Sequence, residues 1–275
     1  QHIIVGLPTG PNDGPFQPLP IPENLNWDFY LGQAPKMDYV GEVEIKKGAD
    51  GAETKNYKAR CAHWDFRWWY CFSGGQMTDW GAHHDDIAQW GNDTERSGPV
   101  EIDGKSLSAM KPGGFTAAAT YRIDMKYANG VTMTIVDGST GTDRNVVGSA
   151  KETPNGIQFL GSDGWIFVTR GAIKASKPEL LETPLAEDRA VKLYQSSDHM
   201  GNFFECVRSR KDPICDVEIG HRSISVAHLG AISIRMNQAL KWNPAQEIFA
   251  GANAAEANKW LAREQRKPYD YSFIA

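Results

Sequence analysis

The sequence has few cysteines, no long apolar run and no excess of positive charge, and each of these absences removes a class of protein. Its four cysteines (Cys61, Cys71, Cys206 and Cys215) include no Cys-x-x-Cys pair, which excludes a zinc ribbon and a thioredoxin-like redox motif. They leave the compartment open. No stretch reaches the roughly 18 apolar residues that a bilayer-spanning helix requires, so no membrane partner is expected and the chain reads as soluble, either cytoplasmic or exported to the periplasm. Lysine and arginine total 29 against 34 acidic residues, a net charge of -5. A polyanion-binding surface spread over the chain is not expected from that balance, and neither is a nucleic-acid partner. The chain begins at Gln1 without an initiator methionine, so a processed or cut N-terminus is expected. With 275 residues, 41% of them hydrophobic, there is enough material for one large core or two modest ones.

What is present is unevenly placed. Seven of the fifteen prolines fall in the first 35 residues, after the short apolar opening Ile3-Ile4-Val5. That density forbids a helix and predicts an entry strand and extended arm over residues 1–38, followed by a single domain over 39–275. Alternation at Val40, Val43 and Ile45 suits an edge strand, interrupted between Gly48 and Gly51. The runs 121–127 and 131–136 alternate with period two around Asn129-Gly130, and 156–160 and 164–168 flank a second turn. Both read as β-hairpins. Hairpin-joined strands are antiparallel, which excludes a doubly wound nucleotide-binding sheet. Helices are predicted from about Thr78 to Trp90, from Asp198 as a cap to Arg210, from about His221 to Leu240, and from about Ala254 to Arg263. The fold class is therefore α+β: an open, mostly antiparallel sheet covered by helices.

Chemistry concentrates between His63 and Trp90, which hold five of the nine tryptophans and three of the seven histidines. At about 3.6 residues per turn, Asp79, His83, Asp86 and Trp90 share one helical face. A carboxylate one turn before an imidazole can accept its ring N–H and leave the other nitrogen as a base. Gly81 removes a side chain next to that pair and allows a backbone or a ligand to approach. Aromatic rings beside carboxylates also suit sugars, whose C–H faces stack while their hydroxyls bond. An amphipathic helix with His83 satisfied in a polar core is the competing structural reading.

The run Phe66-Arg67-Trp68, followed by Ser73-Gly74-Gly75 and then Asp79-Trp80-Gly81-Ala82-His83-His84-Asp85-Asp86, resembles the signature of the glucose–fructose oxidoreductase, inositol dehydrogenase and MocA (Gfo/Idh/MocA) family. Leu25 to Gly32, His199 to Arg210, Gly220 to Ser223 and Leu240 to Pro244 resemble further family segments. The match is to the C-terminal, substrate-binding half of such enzymes. The resemblance implies an NAD or NADP cofactor, a sugar, glycoside or polyol substrate, and a homo-oligomer formed through the sheet face. It implies His83 and Asp79 as catalytic residues, with Arg67, Trp68, Asp86 and His199 as substrate contacts. No Gly-x-Gly-x-x-Gly fingerprint and no Glu-Lys-Pro segment occur here, so the N-terminal dinucleotide-binding domain is expected to be absent from the chain, which is then inactive alone.

Two readings compete with this one. The first is a carbohydrate-binding or oligomerisation module without catalysis, for which an unburied apolar sheet face would serve as interface. The second is a metal-dependent carbohydrate hydrolase or lyase using His63, Asp65, His83, His84, Asp85 and Asp86. Against it, adjacent residues on one helix point about 100° apart, so His83 and His84 cannot ligate together without distortion.

Overall fold

In the computed structural model, which describes residues 1–141, 155–184 and 194–273, the apolar opening becomes strand β1 (His2–Leu7) in the middle of a nine-stranded sheet. The smaller sheet joins β2 (Gln17–Pro18) from the arm to the hairpin β3 (Val40–Lys47) and β4 (Glu53–Ala59). The large sheet is completed by β5 (Pro99–Ser106), β6 (Tyr121–Tyr127), β7 (Thr132–Asp137), β8 (Gly156–Leu160), β9 (Trp165–Thr169), β10 (Ala172–Ala175), β11 (Leu240–Asn243) and β12 (Ile248–Ala250). Its spatial order is β10-β9-β8-β1-β7-β6-β5-β11-β12. Only β1 and β7 run parallel, with Ile3 opposite Met133 and Val5 opposite Ile135; the other ladders are antiparallel. The fold is α+β, as the alternating runs predict.

Period-two patterning decides which face is covered. Tyr121, Ile123, Met125 and Tyr127 point to one side of β6 and are buried, whereas Arg122, Asp124 and Lys126 point to the other. Onto the first side pack the helix Gly81–Gly91 and a long helix, Val217–Met236. The long helix starts four residues before the expected His221, because Asp216 accepts the backbone N–H groups of Glu218 and Ile219. It stops at Asn237, in the left-handed conformation, and Leu240 opens β11 instead of ending the helix. The predicted helix from Ala254 shrinks to Ala254–Ala257 followed by a 3-10 turn, Asn258–Trp260. Strand β5, which opens on Pro99 and holds Gly104 in its interior, lacks a regular apolar alternation and is not among the strands expected from the sequence.

The opposite face of the sheet is mixed. Its rows on β5, β6 and β7 carry Glu101, Arg122, Asp124, Lys126 and Thr132, and Arg122 holds Asp124 with Nε to Oδ2 at 2.7 Å. Ile4, Val136 and Phe167 lie on the same face and are buried, and Leu160 packs against the first two.

A second core forms beneath the arm. Leu19, Trp27, Leu31, Tyr39, Cys61, Trp68, Trp69 and Phe115 pack together, so the proline-rich segment is held against part of the aromatic block. Burial of one such side chain stabilises by roughly 1.5–3 kcal/mol. Packing thus accounts for Trp68 and Trp69, and Trp69 Nε1 also donates to the Arg60 carbonyl at 2.7 Å.

Candidate active site

The site is built where the chain turns from the second core into the helix above the sheet. His63–Trp68 forms a 3-10 helix, and the turn that follows leads to Gln76–Asp79 and, through Trp80, to Gly81–Gly91. The helical path thus starts two residues earlier than Thr78. At the turn, the Gly75 N–H donates to the Arg67 carbonyl at 2.9 Å, and the Gly75 carbonyl accepts from Asp79 N at 3.0 Å. Both ends of one ion pair are anchored through this glycine. Arg67 Nη1 lies 2.6 Å from Asp79 Oδ2.

This pair replaces the expected Asp79–His83 hydrogen bond, which is not made among the described residues. A guanidinium is a permanent cation, and its charge-assisted bond to a carboxylate outweighs one from a neutral imidazole. Arg67 is further fixed by its Nε donating to the Trp64 carbonyl at 3.1 Å and by lying 3.8 Å over the Trp64 ring and 4.7 Å over that of Trp68. Trp64 is 72% exposed, whereas Trp68 is 6% exposed and donates Nε1 to Asp65. The exposed aromatic surface beside the pair therefore belongs to Trp64. Spacing alone could have found it, since residues 64 and 67 are neighbours on a tight helix.

His83 is exposed, packs edge-on to Trp80 with ring centroids 5.6 Å apart, and has no hydrogen-bond partner among the described residues. His84 is its opposite. It is fully buried, its Nε2 donates to Asn155 Oδ1 at 2.7 Å, and burial pushes its pKa down, so the ring is neutral. Gly81 admits a neighbouring helix: a Cβ there would lie 3.4 Å from the Ala227 Cβ. Asp86 accepts the Ser223 hydroxyl at 2.5 Å, tying this helix to the long one. His199 is the exposed first residue of the helix His199–Ser209, capped by Asp198, and no bond or ring contact joins it to the Asp79–His83 segment.

The six residues of the metal reading are not assembled either. Asp65 pairs with Arg60 at 3.2 Å, His63 sits against Tyr30, and His84 and Asp85 face the interior while His83 faces outward. Among the described residues no three His, Cys, Asp or Glu side chains converge on one point.

Asp85 is the unexpected member of the cluster. It is fully buried, and neither carboxyl oxygen has a partner; the Tyr121 hydroxyl in the same core is likewise unpartnered. Burial, with the nearby Asp86 charge adding to it, raises the Asp85 pKa well above the usual carboxylate value and favours its protonated form. A carboxyl that holds its proton more tightly folded than unfolded costs stability as pH rises past the unfolded value, about 3.9. Asp85→Asn is therefore expected to raise the urea midpoint at pH 7–8 and to leave it nearly unchanged near pH 3. Equal gains at both pH values would contradict a protonated Asp85.

No helix among the described residues is long and apolar enough to cross a membrane. The chain matches the family model described as the oxidoreductase family C-terminal α/β domain over residues 41–271. It is similar to three solved structures. They are the WlbA dehydrogenase of Bordetella pertussis in complex with NADH and UDP-GlcNAcA (16% identity, TM-score 0.38, 59% of this chain and 43% of that one), the aldose-aldose oxidoreductase of Caulobacter crescentus with glycerol (13%, 0.38, 64% and 50%), and an NAD-binding protein of Listeria innocua (13%, 0.45, 87% and 54%). The matched part is thus about half the length of these relatives. No curated protein matches the chain. From the extent of the family match, this chain belongs to the Gfo/Idh/MocA oxidoreductase family and carries its C-terminal α/β domain.

Proposed function

We propose that this domain is the substrate-binding and proton-transferring half of an NAD(P)-dependent oxidoreductase acting on a hydroxyl of a sugar, glycoside or polyol. The observation that carries the reading is the exposed imidazole of His83, without a hydrogen-bond partner among the described residues, one helical turn beyond an Arg67–Asp79 pair roofed by exposed Trp64. Arg67 occupies Asp79 Oδ2, and Oδ1 has no hydrogen-bond partner among the described residues, which leaves it to accept a substrate hydroxyl. One face of Trp64 is covered by Arg67. The other suits the C–H face of a sugar ring.

Oxidation of a carbinol removes a proton from oxygen and a hydride from carbon. His83 is the acceptor for the proton, a role that suits an imidazole near neutral pH. The described residues do not furnish a dinucleotide site: the single parallel pair, β1 with β7, is not a strand–turn–helix unit, and no glycine-rich phosphate loop follows it. The NAD or NADP that the family implies would be held chiefly by a dinucleotide-binding domain, and these residues account for the substrate end of the reaction. Asp86 and His199 lend this reading no further support: Asp86 Oδ1 accepts the Ser223 hydroxyl, and no bond or ring contact joins His199 to the Asp79–His83 segment. The homo-oligomer that the family implies would use a sheet face that carries both charged and apolar side chains.

The test is nicotinamide reduction, followed by its absorbance, with the chain alone and joined to a dinucleotide-binding domain, against a panel of sugars, glycosides and polyols. Turnover by the joined form alone is expected. Saturable sugar binding with no reduction in either form would favour a carbohydrate-binding module, and an absence of both would overturn the reading.

A further inference from the structure

A second concavity lies on the far side of the Ser73-Gly74 turn, between that turn, the long helix and the segment 260–263. It encloses about 660 Å³ and is lined by Tyr70, Ser73, His228, Arg235, Trp260 and Arg263 among others. Arg67, Asp79 and His83 do not line it.

Its charges set it apart from most of the arginines: Arg170, Arg208 and Arg210 also lack a carboxylate partner among the described residues, but none of them lines this groove. Arg60, Arg67, Arg96, Arg122, Arg222 and Arg266 each lie within 4.0 Å of a carboxylate. Arg235 and Arg263, facing one groove, have no carboxylate partner among the described residues. The Arg235 guanidinium is held between two rings, 4.5 Å from the Tyr70 centroid and 4.0 Å from that of Trp260. Arg263 is held by main chain, with Nη1 2.7 Å from the Cys71 carbonyl and Nη2 3.3 Å from that of Tyr70. The carboxylate that does line the groove, Glu247, is already engaged by His221 Nε2 at 2.6 Å and Arg222 Nη1 at 3.2 Å.

Two positioned cations close enough to interact, without a counter-charge, repel one another. Partial desolvation, with the Arg263 charge adding to it, weakens the hold of Arg235 on its proton. Each also retains guanidinium N–H donors that these contacts do not use. A planar or tetrahedral oxyanion would satisfy those donors and remove the repulsion. We propose that this groove is a binding site for a small carboxylate- or phosphate-bearing molecule, its anionic group held between Arg235 and Arg263. The proposal does not depend on the redox reading of the His83 site.

Binding is tested on the 275-residue chain by calorimetric titration at constant ionic strength with inorganic phosphate, glucose 6-phosphate, gluconate and uncharged glucose. Saturable binding of at least one anionic probe is expected at a site that glucose does not compete for, any glucose bound at the His83 site being unaffected by changes in the groove. The tighter of glucose 6-phosphate and gluconate identifies which oxyanion the groove takes, and equal affinity for inorganic phosphate assigns the site to the free ion. Arg263→Met is expected to weaken the dissociation constant at least tenfold. Because that change could loosen the 260–263 segment, Ser225→Asp serves as a second variant: it leaves both arginines in place, sets a carboxylate at the groove wall, and is expected to cause a similar loss. No binding of any anionic probe, or affinity unchanged in both variants, would overturn the assignment.

Discussion

Replacing His83 with alanine, in the form joined to a dinucleotide-binding domain, is expected to lower kcat by about 10²–10⁴-fold while leaving the sugar KM within a few-fold of its original value. At about 1.36 kcal/mol per decade, that is a loss of roughly 3–5 kcal/mol from the transition state. The split between kcat and KM follows from the proposed roles, in which Trp64 and the Arg67–Asp79 pair would bind the ring and His83 would take only the proton that leaves during reaction. An exposed side chain without protein partners has little stability to lose, so the denaturation midpoint should hold. Added imidazole should restore part of the rate. His84→Ala provides the contrast, since removing a buried ring bonded to Asn155 should lower stability before it alters kcat. Unchanged turnover in the His83 variant would remove the residue from the mechanism.

Gly75→Ala is expected to damage both fold and rate. Gly75 has φ 70° and ψ -155°, a region that side-chain-bearing residues essentially do not occupy. A Cβ there would also stand 2.7 Å from the Ala117 Cβ. Strain of this type costs on the order of 1–3 kcal/mol before the contact is relieved, which for a chain of this size lowers Tm by roughly 2–12 °C. Relief must rotate the peptide that joins Arg67 to Asp79, so kcat/KM should fall more than the lost stability alone would produce. Differential scanning calorimetry and steady-state kinetics check the two parts. A wild-type Tm together with wild-type kinetics would show that the turn does not set the geometry of the pair.

Local pattern carried much of the sequence reading. The hairpin 121–136 was legible because its alternation and its Asn-Gly turn agree, and the helix beginning at His199 because Asp198 caps it. The helix carrying Asp79 and His83 was legible for the same kind of reason, as spacing alone places them one turn apart. What that spacing could not reveal was the competitor for Asp79. Arg67 lies twelve residues away and arrives only because the Gly75 turn folds the chain back. The Asp85-Asp86 doublet shows a similar limit. On a helix that lies over a sheet, one of two adjacent carboxylates must face inward, but which one depends on packing against Tyr121 and the long helix. Trp68 was misjudged for an allied reason, since an aromatic block in the sequence does not separate rings that fill a core from rings that face a ligand.

The position of β1 has a mechanical consequence. The first strand is gripped along its length by a ladder on each side, with His2 opposite Thr132 on one and Leu160 on the other. Tension applied at Gln1 along the strand would load both ladders in shear, so their hydrogen bonds would have to yield together. An edge strand such as β10 could instead be peeled away one bond at a time. A load on the first strand is therefore carried into the interior of the sheet and not to its edge.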